Sequence, residues 1–76
     1  MFHDICLEAY RLGGVDAVNS LLKQQFPADA DRIRAMEYLE DTGYWSISWH
    51  EKKHPDGGIY RDFGNVREYL ADEGEH

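Results

Sequence analysis

The stretch Asp29-Ala30-Asp31-Arg32-Ile33-Arg34-Ala35-Met36-Glu37-Tyr38-Leu39-Glu40-Asp41-Thr42-Gly43-Tyr44-Trp45-Ser46-Ile47-Ser48-Trp49-His50 changes its hydrophobic period once, and that change decides the fold. In its first part Ile33, Met36 and Leu39 or Glu40 recur at helical spacing, with Ala30 and Tyr38 beside the stripe. Asp29, or Asp31 in a later frame, is the expected cap, because a carboxylate accepts bonds from the free amides and offsets the helix dipole. Thr42-Gly43 ends the helix. From Tyr44 the period becomes two. Trp45, Ile47 and Trp49 fall on one face, and Tyr44, Ser46, Ser48 and His50 on the other. The aromatic and β-branched content supports a strand. Lys52-Lys53-His54-Pro55-Asp56-Gly57-Gly58 then reads as a turn, with proline presetting one dihedral and the glycines supplying positive ones. Ile59 to Phe63 returns as a second strand. Residues 29–63 are therefore expected to form a helix running into a two-stranded hairpin.

Upstream, two further helices are expected. Phe2, Ile5, Cys6, Ala9 and Leu12 form one apolar stripe over about His3 to Leu12, with Asp4 early and Arg11 late, each favourable to the dipole. Gly13-Gly14 is expected to stop this helix. A second runs from about Asp16 to Gln25, burying Val15, Val18, Leu21, Leu22 and Phe26, and Pro27 cannot continue it. Downstream, Asn65 is expected to cap a short helix with Val66, Tyr69 and Leu70 facing inward. The expected fold is α+β: three helices, a two-stranded antiparallel hairpin and a short C-terminal helix. Residues 1–73 form one domain, and 74–76 a flexible tail.

Composition narrows the function. A chain of 76 residues buries only about 60% of its unfolded surface, so a cleft of converging catalytic groups is hard to build. A hydrophobic content of 42% with 13% aromatic residues is too high for a disordered chain. No apolar run approaches the roughly 20 residues of a membrane span. The start Met-Phe-His-Asp lacks the basic region of a signal peptide. The single cysteine, Cys6, sits in an apolar pattern, which suits a buried thiol and a reducing cytoplasm.

The net charge of −7 is unevenly spread: −3 over residues 1–31, zero over 32–61 and −4 over 62–76. A protein that neutralises phosphates carries the opposite balance. The acid surplus points to a basic protein partner or to solubility alone.

Helix, helix, short turn, helix, hairpin is the order of a winged helix-turn-helix. The run from Asp29 to Tyr44 resembles the third helix of many bacterial regulators, ending Leu-Glu-x-x-Gly-aromatic before the wing. That resemblance implies contacts to DNA from Asp29, Asp31, Arg32 and Ala35 on the helix and from Lys52, Lys53 and His54 at the wing tip. The wing suits phosphate; Asp29 and Asp31 would meet it repulsively. The resemblance equally permits a protein-docking module. A second segment, His54-Pro55-Asp56-Gly57-Gly58-Ile59-Tyr60, is similar to the His-Pro-x-Gly loop of colicin immunity proteins, which grips a basic nuclease. The strand-like run from Tyr44 to Trp49 does not fit their all-helical fold.

The leading expectation is a non-enzymatic protein-binding module or inhibitor of phage, mobile-element or accessory-regulator type. Its contact residues would be Asp29, Asp31, Arg32, Tyr38, Tyr44, Lys52, Lys53, His54, Tyr60 and Arg61, with exposed tyrosines beside arginine and histidine as anchors. The alternative is a DNA-binding transcriptional regulator acting as a homodimer. No cofactor is expected. His3, Cys6, His50 and His54 lack zinc-site spacing and read better as core and turn residues. Ser46 and Ser48 share a strand face with His50 without forming an activated pair, and Gly13-Gly14 lacks the lysine-serine of a phosphate loop.

Overall fold

Leu39, Ile47 and Val66 meet in one core, and this contact sets how helix and hairpin pack. The computed structural model describes residues 1–70. The element order is α1 (Phe2–Gln25), α2 (Asp29–Asp41), β1 (Trp45–Lys53) and β2 (Ile59–Tyr69).

Two helices stand where three were expected. Gly13 (φ −150°, ψ 15°) and Gly14 (φ 71°, ψ −159°) leave the helical region but kink α1 without ending it. Gly14 needs the left-handed freedom of glycine. At Gly13 a Cβ would lie 2.8 Å from Ala17 Cβ, so the kink closes too tightly for a side chain. Cys6 before the kink and Val18 and Leu22 after it are buried in the same core, which is why the helix resumes. Phe26 N–H donates to Leu22 O at 2.8 Å, and Pro27 follows.

The cap of α2 also differs from expectation. Ala28 occupies the N-cap with extended backbone (φ −79°, ψ 134°), and no side chain bonds the free amides. Asp29 and Asp31 lie inside the first turn, where they favour the dipole. The buried stripe is Arg32, Ala35, Met36 and Leu39, the i, i+3, i+4, i+7 face of a helix. At the far end Thr42 Oγ1 donates to Leu39 O at 2.6 Å, Gly43 N–H donates to Glu40 O, and Gly43 turns out at φ 81°.

Beyond Phe63 the expected C-terminal helix is absent from the described residues: Asn65, Val66 and Tyr69 belong to β2. The register explains the misreading. Trp45 pairs with Tyr69 and Ser46 with Glu68, but Ile47 pairs with Val66, leaving Arg67 as an extra residue. A bulge of this kind spaces inward residues three apart, which imitates a helix. A second shift lies between the pairs His50–Phe63 and Glu51–Arg61, with Asp62 the extra residue. Lys52 and Lys53, expected in the turn, pair with Tyr60 and Ile59. The expected tail at 74–76 lies outside the described residues.

Both helices pack on the hairpin, α1 against β2 and α2 against both strands. The core comprises Cys6, Val18, Leu22, Ala35, Met36, Leu39, Trp45, Ile47 and Val66. Gly64 faces Trp49, and a Cβ there would lie 2.7 Å from the indole ring. Among the described residues no helix is long and apolar enough to cross a membrane.

Candidate functional site

Of the ten residues expected to contact a partner, four lie on α2, Tyr44 lies just before β1, and five lie on the hairpin. At the start of α2, Arg32 is 5% exposed and points inward. Its Nη1 donates to Phe26 O at 2.8 Å and to Pro27 O at 3.3 Å, while Nη2 bonds Asp29 Oδ1 at 2.6 Å. The guanidinium lies 4.6 Å from the Phe63 ring centroid. Arg32 thus ties the α1–α2 connection to α2 and β2, where the expectation had it exposed. The expectation of an exposed arginine failed because the free carbonyls after α1 needed a donor, and a guanidinium supplies several in one plane.

The acidic edge is partly neutralised. Asp29 pairs with Arg32, and Asp31 Oδ1 accepts from Arg34 Nη2 at 3.2 Å. These are i, i+3 pairs on one helix face.

At the hairpin tip, Lys52 Nζ pairs with Asp62 at 3.1 Å. His54 N–H donates to Gly58 O and Gly57 N–H to His54 O, both at 2.9 Å, and Gly57 has φ 89°. This is a three-residue loop closed by a glycine in the left-handed region. Tyr60 OH donates to Asp56 Oδ2 at 2.6 Å, and Gly58 N–H to Asp56 Oδ1 at 2.9 Å. The phenol and amide donors hold the Asp56 carboxyl below its usual value, and the same bond raises the Tyr60 phenol. The ring of His54 stands edge-on to Tyr60 at 4.3 Å. Lys53 makes no ion pair among the described residues.

Arg61 turns from the tip toward α2. Its Nη1 bonds Glu40 Oε1 at 2.8 Å, and its guanidinium lies 5.0 Å from the Trp49 ring centroid. Trp49 Nε1 donates to the same Glu40 carboxylate at 3.2 Å. Tyr44 stacks on His3 at 5.4 Å, beside Tyr69 and Trp45. Tyr44 is therefore a half-covered member of an aromatic cluster that joins α1 to the sheet.

Tyr38 and Asp31 share an open, apolar site. A groove of about 460 Å³ runs between α1 and α2, lined by Phe2, Phe26, Ala35 and Tyr38 and bordered by Asp31 and Arg34. Phe2 meets Phe26 edge-on at 5.7 Å and Tyr38 at 5.9 Å, so the rings brace one another. Met1, at the N-cap of α1, is 89% exposed, Ile5 in its first turns 53%, and Tyr38 52%. Phe2, Phe26 and Ile5 read from sequence as core residues; Phe2 and Phe26 are half-buried and pack against the core, and Ile5 is exposed. Their spacing placed them on an apolar face, but spacing does not say whether anything covers that face.

A second cleft, of about 410 Å³, is polar, with Asp16, Ser20, Lys23 and Asn65 at its rim and Arg32 and Phe63 at its base. The terminal nitrogens of Arg32 are already bonded within the fold, so the cleft offers no free guanidinium fork. Burial pushes the Cys6 thiol up to about 11, which keeps it protonated and inert. His3 lies in the aromatic cluster, and His50 and His54 lie on the hairpin. Among the described residues no three His, Cys, Asp or Glu side chains converge as a metal set. No family model, curated protein or solved structure matches the chain.

Proposed function

We propose that this protein is a non-enzymatic docking module that binds another protein through the groove between α1 and α2. The observation that carries the reading is the open aromatic floor of Phe2, Phe26 and Tyr38; Met1, next to Phe2, and Ile5, one turn after it, are exposed. Open apolar surface with braced aromatic rings is the usual core of a protein interface. Asp31 and Arg34 at its border supply polar rim groups. The net charge of −7 favours a partner with a basic surface, because long-range attraction speeds encounter. An apolar helix or strand with flanking lysines or arginines is the occupant that fits this chemistry. An inhibitor or accessory regulator works in this way, by covering a partner's surface. A reducing compartment such as the cytoplasm suits the reduced, buried Cys6.

Duplex DNA as the ligand draws less support. Arg32 is buried, Lys52 is held by Asp62, and Lys53 stands apart from the start of α2 on the hairpin.

The test uses exposed positions, so that the fold survives. The wild-type chain is used as bait in a lysate, beside Ile5→Glu, Tyr38→Glu and Lys53→Ala. One stoichiometric protein retained by the wild type and by Lys53→Ala, but lost by both glutamate variants, is the expected result. Retention by the glutamate variants removes the groove from the interface. Binding of generic duplex at low salt that weakens with Lys53→Ala and falls steeply as salt rises replaces this reading with the DNA one.

A further inference from the structure

The hairpin has two outer edges, and they are not equivalent. In an antiparallel ladder, residues alternate between bonding their neighbour strand and pointing their N–H and C=O away from it. Three contacts fix the phase. His54 N–H bonds Gly58 O, Leu70 N–H bonds Tyr44 O at 2.6 Å, and the N–H and C=O of Val66 turn outward to the Asn19 side chain. Carried along the register, this alternation turns the outer backbone groups of β1 into those of Trp45, Ile47, Trp49, Glu51 and Lys53.

The outer edge of β2 is closed to a further strand. Both register shifts place their extra residue in β2, at Asp62 and Arg67, and Asn19 occupies the outward groups of Val66. Bulges and side-chain plugs of this kind are how a sheet edge is kept from pairing. Strand β1 has no inserted residue over its nine residues. None of the hydrogen bonds between a side chain and the backbone among the described residues reaches its outer groups. Trp45 and Ile47, 2% and 9% exposed, carry side chains buried in the core, and exposure rises through Trp49 to Glu51 and Lys53.

We infer that the β1 edge from Ile47 to Lys53 pairs antiparallel with the same segment of a second copy, making a continuous four-stranded sheet about a two-fold axis at His50. The outward backbone groups of Ile47, Trp49, Glu51 and Lys53 are centred on His50, so the segment is complementary to itself in this register. Ile47 lies opposite Lys53 of the second copy, Trp49 opposite Glu51, Ser48 opposite Lys52, and His50 opposite His50. No two like charges of Glu51, Lys52 and Lys53 fall directly opposite one another, which is the arrangement that costs a cross-strand pair. Lys52 is further compensated by Asp62 of its own hairpin. An isologous contact of this kind closes after two copies and leaves only the plugged β2 edges outside. It does not use the α1–α2 groove, so it stands or falls apart from the docking reading.

Sedimentation of the full chain from about 1 μM to about 1 mM covers weak to moderate association. The expected result is a reversible monomer–dimer equilibrium. Glu51→Pro removes an outward N–H and leaves the β1–β2 ladder intact, so it should weaken the dimer about tenfold or more while the far-UV circular dichroism is kept. Should that variant lose its fold, His50→Cys decides. Its Cα atoms would sit about 4.5 Å apart across the axis, within the range a disulfide spans, so mild oxidation should yield a covalent dimer. The buried Cys6 of the wild type provides the unlinked control. A monomer at every concentration overturns the inference. So does a dimer indifferent to Glu51→Pro in a folded variant, or one whose His50→Cys form does not cross-link.

Discussion

The side-chain amide of Asn19 on α1 closes two hydrogen bonds on the backbone of Val66 in β2: Val66 N–H donates to Oδ1 at 2.9 Å, and Nδ2 donates to Val66 O at 3.2 Å. The amide acts as a one-residue strand, pinning helix to sheet beside the bulge at Arg67. Asn19→Leu leaves both backbone groups without partners in a half-buried place, and should destabilise the fold by about 1–3 kcal/mol. Asn19→Asp keeps the acceptor and loses the donor, so it should fall between the two. Thermal or urea unfolding of the three proteins at neutral pH checks the order.

Gly64 lies directly under the indole of Trp49. A Cβ would meet the ring at 2.7 Å and Ser48 O at 3.0 Å. Because one of those neighbours is backbone, the ring has to move. Gly64→Ala should cost about 1–3 kcal/mol as overpacking. It should also displace Trp49 Nε1 from Glu40, which tryptophan emission reports as a spectral shift. An unchanged spectrum with unchanged stability would show that the ring is not seated on this glycine.

Arg32 tests whether the buried fork or the charge matters. Lysine keeps the charge but cannot reach Phe26 O, Pro27 O and Asp29 together. Arg32→Lys should lose most of the stability that Arg32→Met loses. Asp29 is largely exposed, so its share is screened, and the loss should come to about 2–3 kcal/mol from the orphaned carbonyls. Denaturant midpoints measure it. Equal stability of wild type and Arg32→Lys would assign the residue an electrostatic role instead.

The Asp56–Tyr60 bond makes the hairpin tip pH-sensitive at both ends. The Asp56 carboxyl is lowered in the folded chain from an ordinary 3.8, so its contribution is present above that value and is lost as pH falls through the folded one. The Tyr60 phenol is raised from an ordinary 10.0, so its contribution is present below 10.0 and is lost as pH rises through the folded value. Tyr60→Phe removes the phenol and with it the largest of the effects that lower Asp56, leaving the Gly58 N–H as a donor. NMR titration of the Gly57 and Gly58 amides should show the acid midpoint of Asp56 moving up in Tyr60→Phe; an unmoved midpoint would refute the bond.

Cys6, fully buried and held protonated to about 11, should react with a thiol reagent only through unfolding of the native chain. Its labelling rate should rise in step with the destabilisation measured for the Asn19 and Gly64 variants. A fast rate in the wild type, independent of stability, would mean that the α1 face opens locally.

Local side-chain chemistry set where this chain changes from helix to strand. The switch of period at Gly43-Tyr44 follows from side-chain sterics and burial within a few residues, so a helix entering a strand at that point was legible. The place of the break in α1 was legible too, because two glycines in succession release the backbone. What followed each signal was not. Whether Gly13-Gly14 ends a helix or kinks it depends on Cys6, Val18 and Leu22 sharing one core. Whether Val66 and Tyr69 form a helix or a bulged strand depends on Ile47 and Asn19, which are remote in sequence. The site was decided in the same way. The charge of Arg32 suggested an exposed contact, yet the carbonyls of Phe26 and Pro27 drew it inward. Phe2 and Phe26 carried the periodicity of core residues, and only the packing of α1 on α2 left them as the floor of an open groove. Periodicity fixes which side chains face together, because that is set by the local backbone; coverage and pairing are long-range outcomes that tertiary structure alone decides.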